Sequence, residues 1–229
     1  MINAETISNS VATKIASELN LDNDRKEVIA YGTFAFFQTI FSIFLIVMFG
    51  YLFNIQIEAL LISFTISILR KFSGGVHATS PNNCAIIGTI ICVGFAIIVV
   101  FLTSSLINLN ILLFLGVIIF VWSYYIIYKL APVDSKAKPI KKSKKIKRLK
   151  KSSIITLSVY LVIILINFIL YYKMGNKKFI IYSLCVYSGI AWQTFTLTQY
   201  GHLVVKKLDD FLGHIIDTTK GDKNNEKIK

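Results

Sequence analysis

The sequence predicts an all-α polytopic membrane protein of about six transmembrane helices, preceded by an N-terminal amphipathic helix. Three observations predict it. The 229-residue chain is 55% hydrophobic with a positive mean hydropathy, and only 16% of its residues are charged, against roughly 25% in an average soluble domain. The charges gather in a few short blocks. Between the blocks recur apolar runs of about 20 residues, the length a helix needs to cross a bilayer. These runs are continuously apolar rather than alternating, which argues against a transmembrane barrel.

Residues 1–27 are polar and include Glu5, Glu18, Asp22 and Asp24, without the charged-then-apolar order of a secretory leader. Ile7, Val11, Ile15 and Leu19 repeat every four residues and so share one helix face. Two readings stay open: an amphipathic segment on the membrane surface, or a solvated cap on the first span. The membrane domain follows over residues 28–205, with apolar segments near 28–53, 55–69, 85–106, 109–130, 153–172 and 179–200. The second is short, but Arg70 and Lys71 at its end can snorkel to extend it. Residues 206–229 form a charged tail.

Lys and Arg in the connections set the orientation. Arg25 and Lys26 precede the first span, Arg70 and Lys71 follow the second, and Lys206-Lys207 open the tail. The segment Lys129–Lys151 carries eleven Lys or Arg against one acid, Asp134. The turns at 53–57 and 104–110 carry none. This alternation places both termini and the 131–151 basic loop in the cytoplasm; Lys173, Lys177 and Lys178 disagree, and the larger basic block outweighs them. Such a loop fixes topology and attracts anionic membrane lipids, or it recognises an acidic peptide or protein. Nucleic acid is not an expected partner, since no aromatics interleave the basic run.

Between the second and third apolar runs lies Arg70-Lys71-Phe72-Ser73-Gly74-Gly75-Val76-His77, followed seven residues later by Cys84. Ser80 is a good helix N-cap and Pro81 fits the first helical position, so Cys84 falls in the first turn of the third span. The partial positive charge at that helix end suits a nucleophilic thiol. Pro81 disfavours a continuous helix through 77–84, and Gly74 and Gly75 permit close approach or positive φ. The loop can therefore fold His77 back onto Cys84, the pairing of an activated cysteine nucleophile. Alone, one Cys and one His seven apart do not specify a site. Two ligands do not close a zinc site either, and His202 and His214 are distant, so neither a metal nor another cofactor is expected. Cys92 and Cys185 lie inside apolar runs as packing residues, and three cysteines form no closed disulfide framework.

Arg70, Gly74-Gly75, His77-Ala78 and Cys84, entered from a membrane helix, resemble the signature of the accessory gene regulator B (AgrB) family. Ala131-Pro132-Val133-Asp134-Ser135-Lys136-Ala137-Lys138-Pro139-Ile140 resembles that family's segment leading into a basic loop. A less specific echo is Gln193-Thr194-Phe195-Thr196-Leu197-Thr198 in the last span. The resemblance implies a membrane-embedded, homodimeric cysteine endopeptidase that matures a quorum-sensing, AgrD-like propeptide with an acidic C-terminal tail. It implies Cys84 as nucleophile, His77 as acid–base, and a thiolactone or lactone ring as product. Site support or substrate binding falls to Arg70, Gly74, Gly75, Lys136, Lys138 and Gln193. Gln193 is an amide in an apolar span, costly unless partnered; it suits orientation of His77 or packing between helices. A non-enzymatic peptide exporter is the alternative that six spans and a basic loop also allow.

Overall fold

The computed structural model describes residues 4–105, 109–133 and 143–226. Among them are eight helices: α1 (Ala4–Glu18), α2 (Asn23–Leu52), α3 (Gln56–Ser73), α4 (Pro81–Ser105), α5 (Leu109–Leu130), α6 (Ser143–Met174), α7 (Lys178–Phe195) and α8 (Gln199–Glu226). The expected all-helical class stands; pairing outside the helices is one isolated bridge among the described residues, Gly74 with Val133. The chain divides into two units, Met1–Leu45 and Ile46–Lys229.

In the first unit, α1 leaves Ile7, Ile15 and Leu19 exposed and buries Ser8, Ala12 and Ala16. Asp22 starts α2 by accepting the Arg25 N–H at 2.9 Å, an N-cap bond to an otherwise orphaned donor.

In the second unit α7 is the central helix and packs against α3, α4, α5 and α6. Its burial is nearly all-round, with Ser183 through Tyr187 consecutively inside, as expected of a helix without a solvent or lipid face. Small residues let neighbours come close. At Gly189 a Cβ would lie 2.7 Å from Thr65 Cγ2 of α3. Polar side chains bond across helices: Tyr160 Oη donates to the Thr65 carbonyl at 3.0 Å and Thr194 Oγ1 to Ser123 Oγ at 3.1 Å. Large apolar residues on the outer helices, such as Phe114 and Val121 of α5, are exposed, as lipid-facing side chains must be.

The count of six spans is not reproduced. Among the described residues four helices (α2, α4, α5 and α6) are long and apolar enough to cross a membrane, or five if the bent α7–α8 pair is one span. The α3 helix has only 18 residues and includes Glu58, Arg70 and Lys71. At 1.5 Å per residue it is about 27 Å long, short of a hydrocarbon core of about 30 Å. The expected sixth segment bends by 94° between α7 and α8. Threonine hydroxyls make the corner by bonding nearby carbonyls: Thr196 Oγ1 to Gln193 O and Thr198 Oγ1 to Phe195 O, both 2.7 Å. Such bonds compete with helix propagation. The basic run also differs from expectation: residues 143–151 are the first turns of α6 rather than loop. Lysine and arginine are good helix formers, and Lys150 lies over the Tyr128 ring at 4.4 Å.

One end of the bundle gathers the C-termini of α3, α5 and α7 and the N-terminus of α4. Gly74 meets Val133 just after α5, and Gln193 near the end of α7 bonds Ser73 and Gly74.

Candidate active site

The motif loop begins where α3 stops. Gly74 has φ 71° and ψ −152° and donates its N–H to the Arg70 carbonyl at 2.9 Å. The positive φ favours glycine, and the space demands it, since a Cβ there would collide with the Val133 carbonyl. Val133 in turn donates its N–H to the Ser73 carbonyl at 2.9 Å. Gly75 has φ 136°, and a Cβ there would sit 3.2 Å from Thr196 Oγ1 and 3.4 Å from Gln193 Nε2. The three stretches singled out by resemblance, far apart in sequence, thus meet at Gly74 and Gly75.

Gln193 is fully buried, and its Nε2 donates to the Gly74 carbonyl at 2.8 Å and to Ser73 Oγ at 3.0 Å. Both amide hydrogens are used on the loop's first turn. Gln193 therefore holds the loop, and neither hydrogen is left to orient His77.

Past the glycines, the Arg70 guanidinium donates from Nη2 to the Val76 carbonyl. Its Nε is buried and has no partner among the described residues. His77 is exposed. Partial desolvation, and then the Arg70 charge, pull its imidazole below its ordinary value, because both disfavour the charged form. The imidazole is therefore mostly neutral at pH 7.

The N-terminus of α4 follows the pattern read from the sequence. Ser80 Oγ accepts the Asn83 N–H at 3.1 Å, the Cys84 N–H bonds the Ser80 carbonyl at 3.0 Å, and Pro81 is the first helical residue. Cys84 is half-buried in that first turn, while Cys92 and Cys185 are buried, and all three are free thiols. Arg70 interacts electrostatically with both Cys84 and His77, so the three share one neighbourhood. Among the described residues no hydrogen bond joins His77 to Cys84. Apo catalytic pairs often stand apart and tighten when substrate binds.

Asp209 of α8 was missed by sequence reasoning, which assigned it to the charged tail. It is 5% exposed. Its Oδ2 accepts the Thr79 N–H and its Oδ1 the Asn83 Nδ2–H, both at 2.7 Å. A buried carboxylate needs such donors, because burial without them would disfavour its charge. The signal available was spacing: Gly201, Val205 and Asp209 recur every four residues, and all are buried.

Lys136 and Lys138 lie outside the described residues. No group of three or more His, Cys, Asp or Glu able to hold a metal ion occurs among the described residues. His202 Nε2 is buried without a partner among them, and His214 is exposed.

The geometry carries a prediction for Gln193. Replacing it with Leu keeps the apolar volume but leaves the Gly74 carbonyl without its donor. An unsatisfied buried group costs about 1–3 kcal/mol, so the variant should unfold at lower temperature in detergent. Amide exchange should rise at residues 73–76 before the rest of α3. Exchange unchanged at those residues would show that the amide does not hold the loop.

Comparison with known proteins places the chain in a family. The model of the family described as "Accessory gene regulator B" matches residues 8–197, ending two residues before α8 begins. Two AgrB-like proteins of Clostridium perfringens, from strain SM101 and strain 13, are each 46% identical over 214 residues, covering 93% of this chain and 99% of each relative. No solved structure matches the chain. The chain belongs to the accessory gene regulator B family.

Proposed function

We propose that this protein is a membrane-embedded cysteine endopeptidase that removes the C-terminal tail of an AgrD-like propeptide and closes the remaining signal peptide into a ring. Family membership supports a role in quorum-sensing propeptide processing. The observation that carries the finer reading is that Arg70 of α3, bonded to the Val76 carbonyl beside His77, lies within electrostatic reach of both His77 and Cys84 of α4, where the loop is held by Val133 and by Gln193 of α7. Cys84 Sγ attacks the scissile carbonyl while its proton passes to neutral His77. The tetrahedral intermediate collapses, the C–N bond breaks, and His77 gives that proton to the departing amine of the tail. An acyl-thioester on Cys84 remains. An internal Cys or Ser of the peptide attacks this acyl group, forming a thiolactone or lactone and returning Cys84 to the thiol. The thioester conserves activation that hydrolysis would lose, and a site that excludes water favours cyclisation.

Arg70 has a buried Nε–H without a partner among the described residues. It is suited to receive the developing oxyanion or a substrate carboxylate. Lys136 and Lys138 are assigned to capture of the acidic tail, in a homodimer whose site and termini face the cytoplasm. The meeting of Gly74 with Val133 supports a common face for the motif loop and the start of the basic segment.

The decisive variant is Cys84→Ala. It should insert normally and cleave no cognate propeptide on co-expression, as read by mass analysis, whereas joint replacement of Cys92 and Cys185 should preserve cleavage. A peptide exporter would tolerate Cys84→Ala, and cleavage by that variant would overturn the peptidase reading.

The His77 environment fixes the sign of the pH dependence. A folded-state value below the ordinary 6.5 keeps the base form dominant through neutral pH. The acid limb of the acylation rate should therefore be centred below 6.5. His77→Gln should slow acylation by about two to four orders of magnitude, the usual contribution of a positioned base. Rapid-quench trapping of the thioester measures both. An acid limb centred above 6.5, or an unchanged rate in His77→Gln, would remove the histidine from this role.

Neutralising Lys136 and Lys138 together should raise the propeptide concentration needed for half-maximal rate, with the saturated rate kept. Exposed charge pairs are each worth at most about 1 kcal/mol, and their main effect is on encounter. Rising salt should mimic the double variant in the unmodified protein. A saturated rate that stays low in the double variant would instead place these lysines in catalysis or folding.

A further inference from the structure

We propose that Asp209 is the positioning residue of this site: a buried carboxylate on α8 that sets the span of chain between the base and the nucleophile. The inference rests on the peptidase reading for its activity readout, but its structural basis is separate. His77 and Cys84 are joined by a short stretch, three residues outside helix followed by the first three of α4. Asp209 bonds that stretch at two points: the Thr79 N–H, two residues after His77, and the Asn83 side chain, one residue before Cys84. Both carboxylate oxygens are used, one on each point. Bonds of 2.7 Å to a carboxylate are the short, charge-assisted kind, stronger than neutral ones.

Asn83 is itself 7% exposed and held at both ends, its backbone N–H by Ser80 Oγ and its side chain by Asp209. Removing the carboxylate orphans a buried amide and a loop N–H at once. The two anchors then lose their common reference, while α4 and its cap can remain. The neighbouring acid, Asp210, is exposed and serves as the control. A purely structural role would predict general loosening of the bundle. A positioning role predicts a change confined to the 77–84 span.

The test uses the full chain in nanodiscs with two readouts. The first is the rate at which iodoacetamide labels each cysteine, resolved by peptide mass analysis; buried Cys92 and Cys185 report unfolding and Cys84 reports the site. The second is the kcat and KM of cognate propeptide cleavage. Asp209→Ala should lower kcat by about 10- to 100-fold with little change in KM, the scale on which misplacement of about 1 Å acts. The Cys84 labelling rate should change while Cys92 and Cys185 stay protected. Asp210→Asn should behave as the unmodified protein. The reversed pair Asp209→Asn with Asn83→Asp exchanges donor and acceptor. It leaves the amide oxygen introduced on α8 for the Thr79 N–H, and should restore most of kcat and the original labelling rate.

Unchanged kcat and unchanged Cys84 labelling in Asp209→Ala would overturn the proposal. So would a reversed pair as impaired as the single variant. If Asp209→Ala exposes Cys92 or Cys185, the isosteric Asp209→Asn is read instead, and the same exposure there would make the residue structural and overturn the proposal. If the unmodified protein cleaves nothing, yet Asp209→Ala alters Cys84 labelling and the reversed pair restores it, the peptidase reading falls and the positioning role stands. If the unmodified protein cleaves normally and every Asp209 variant matches it in both readouts, the positioning role falls and the peptidase reading stands.

Discussion

The chain leaving α3 must find partners for its carbonyls inside a packed bundle, and the site is built from the partners it finds. A helix end leaves its last carbonyls without intrahelical donors, and away from water each unmet group is expensive. Here the Arg70 carbonyl receives the Gly74 N–H, Ser73 receives the Val133 N–H, Gly74 receives the Gln193 amide, and Val76 receives Arg70 itself. The donors come from three parts of the chain: residues 70–74, Val133 and Gln193. One requirement of backbone satisfaction thus draws α5, α7 and the cation of α3 around the same few residues.

The electrostatics follow from that convergence. The Arg70 guanidinium is bonded to the Val76 carbonyl, which keeps its charge beside His77 and Cys84. A fixed cation favours a neutral imidazole and attracts a developing anion. In the proposed mechanism the same group therefore keeps His77 neutral and stabilises the anion that forms. Lysine would fill the charge but not the geometry, having no planar fork to spread several donors between a carbonyl and a site.

Much of this was legible in the residues. The length and continuity of the apolar runs pointed to the helical class, and Ser80-Pro81 marked the start of α4 to the residue because capping is a local interaction. Gly74-Gly75 announced special backbone, and the structure adds the reason, a carbonyl where a side chain would be. The corner after Phe195 was not legible as a break, because threonine is compatible with a span until its hydroxyl finds a carbonyl. Asp209 was hidden for a similar reason. Its acid looks solvated beside Lys206, Lys207 and Asp210, and only tertiary packing turns that face of α8 toward Thr79 and Asn83. The count of six was not reproduced because α3 carries Glu58, Arg70 and Lys71 within its 18 residues and because α7 and α8 meet at a corner.

The helical form of the basic run changes how its charge is delivered. With 32 residues, α6 is about 48 Å long at 1.5 Å per residue, and a hydrocarbon core takes up about 30 Å of that. The surplus is an inflexible stem continuous with a span. A loop would let its cations wander and average their field. On a stem they keep fixed positions: Lys144 to Lys151 span about 10 Å of helix axis, little more than the roughly 8 Å through which salt lets a charge be felt. Anything acidic that approaches meets one dense, fixed patch of charge rather than a diffuse, shifting cloud.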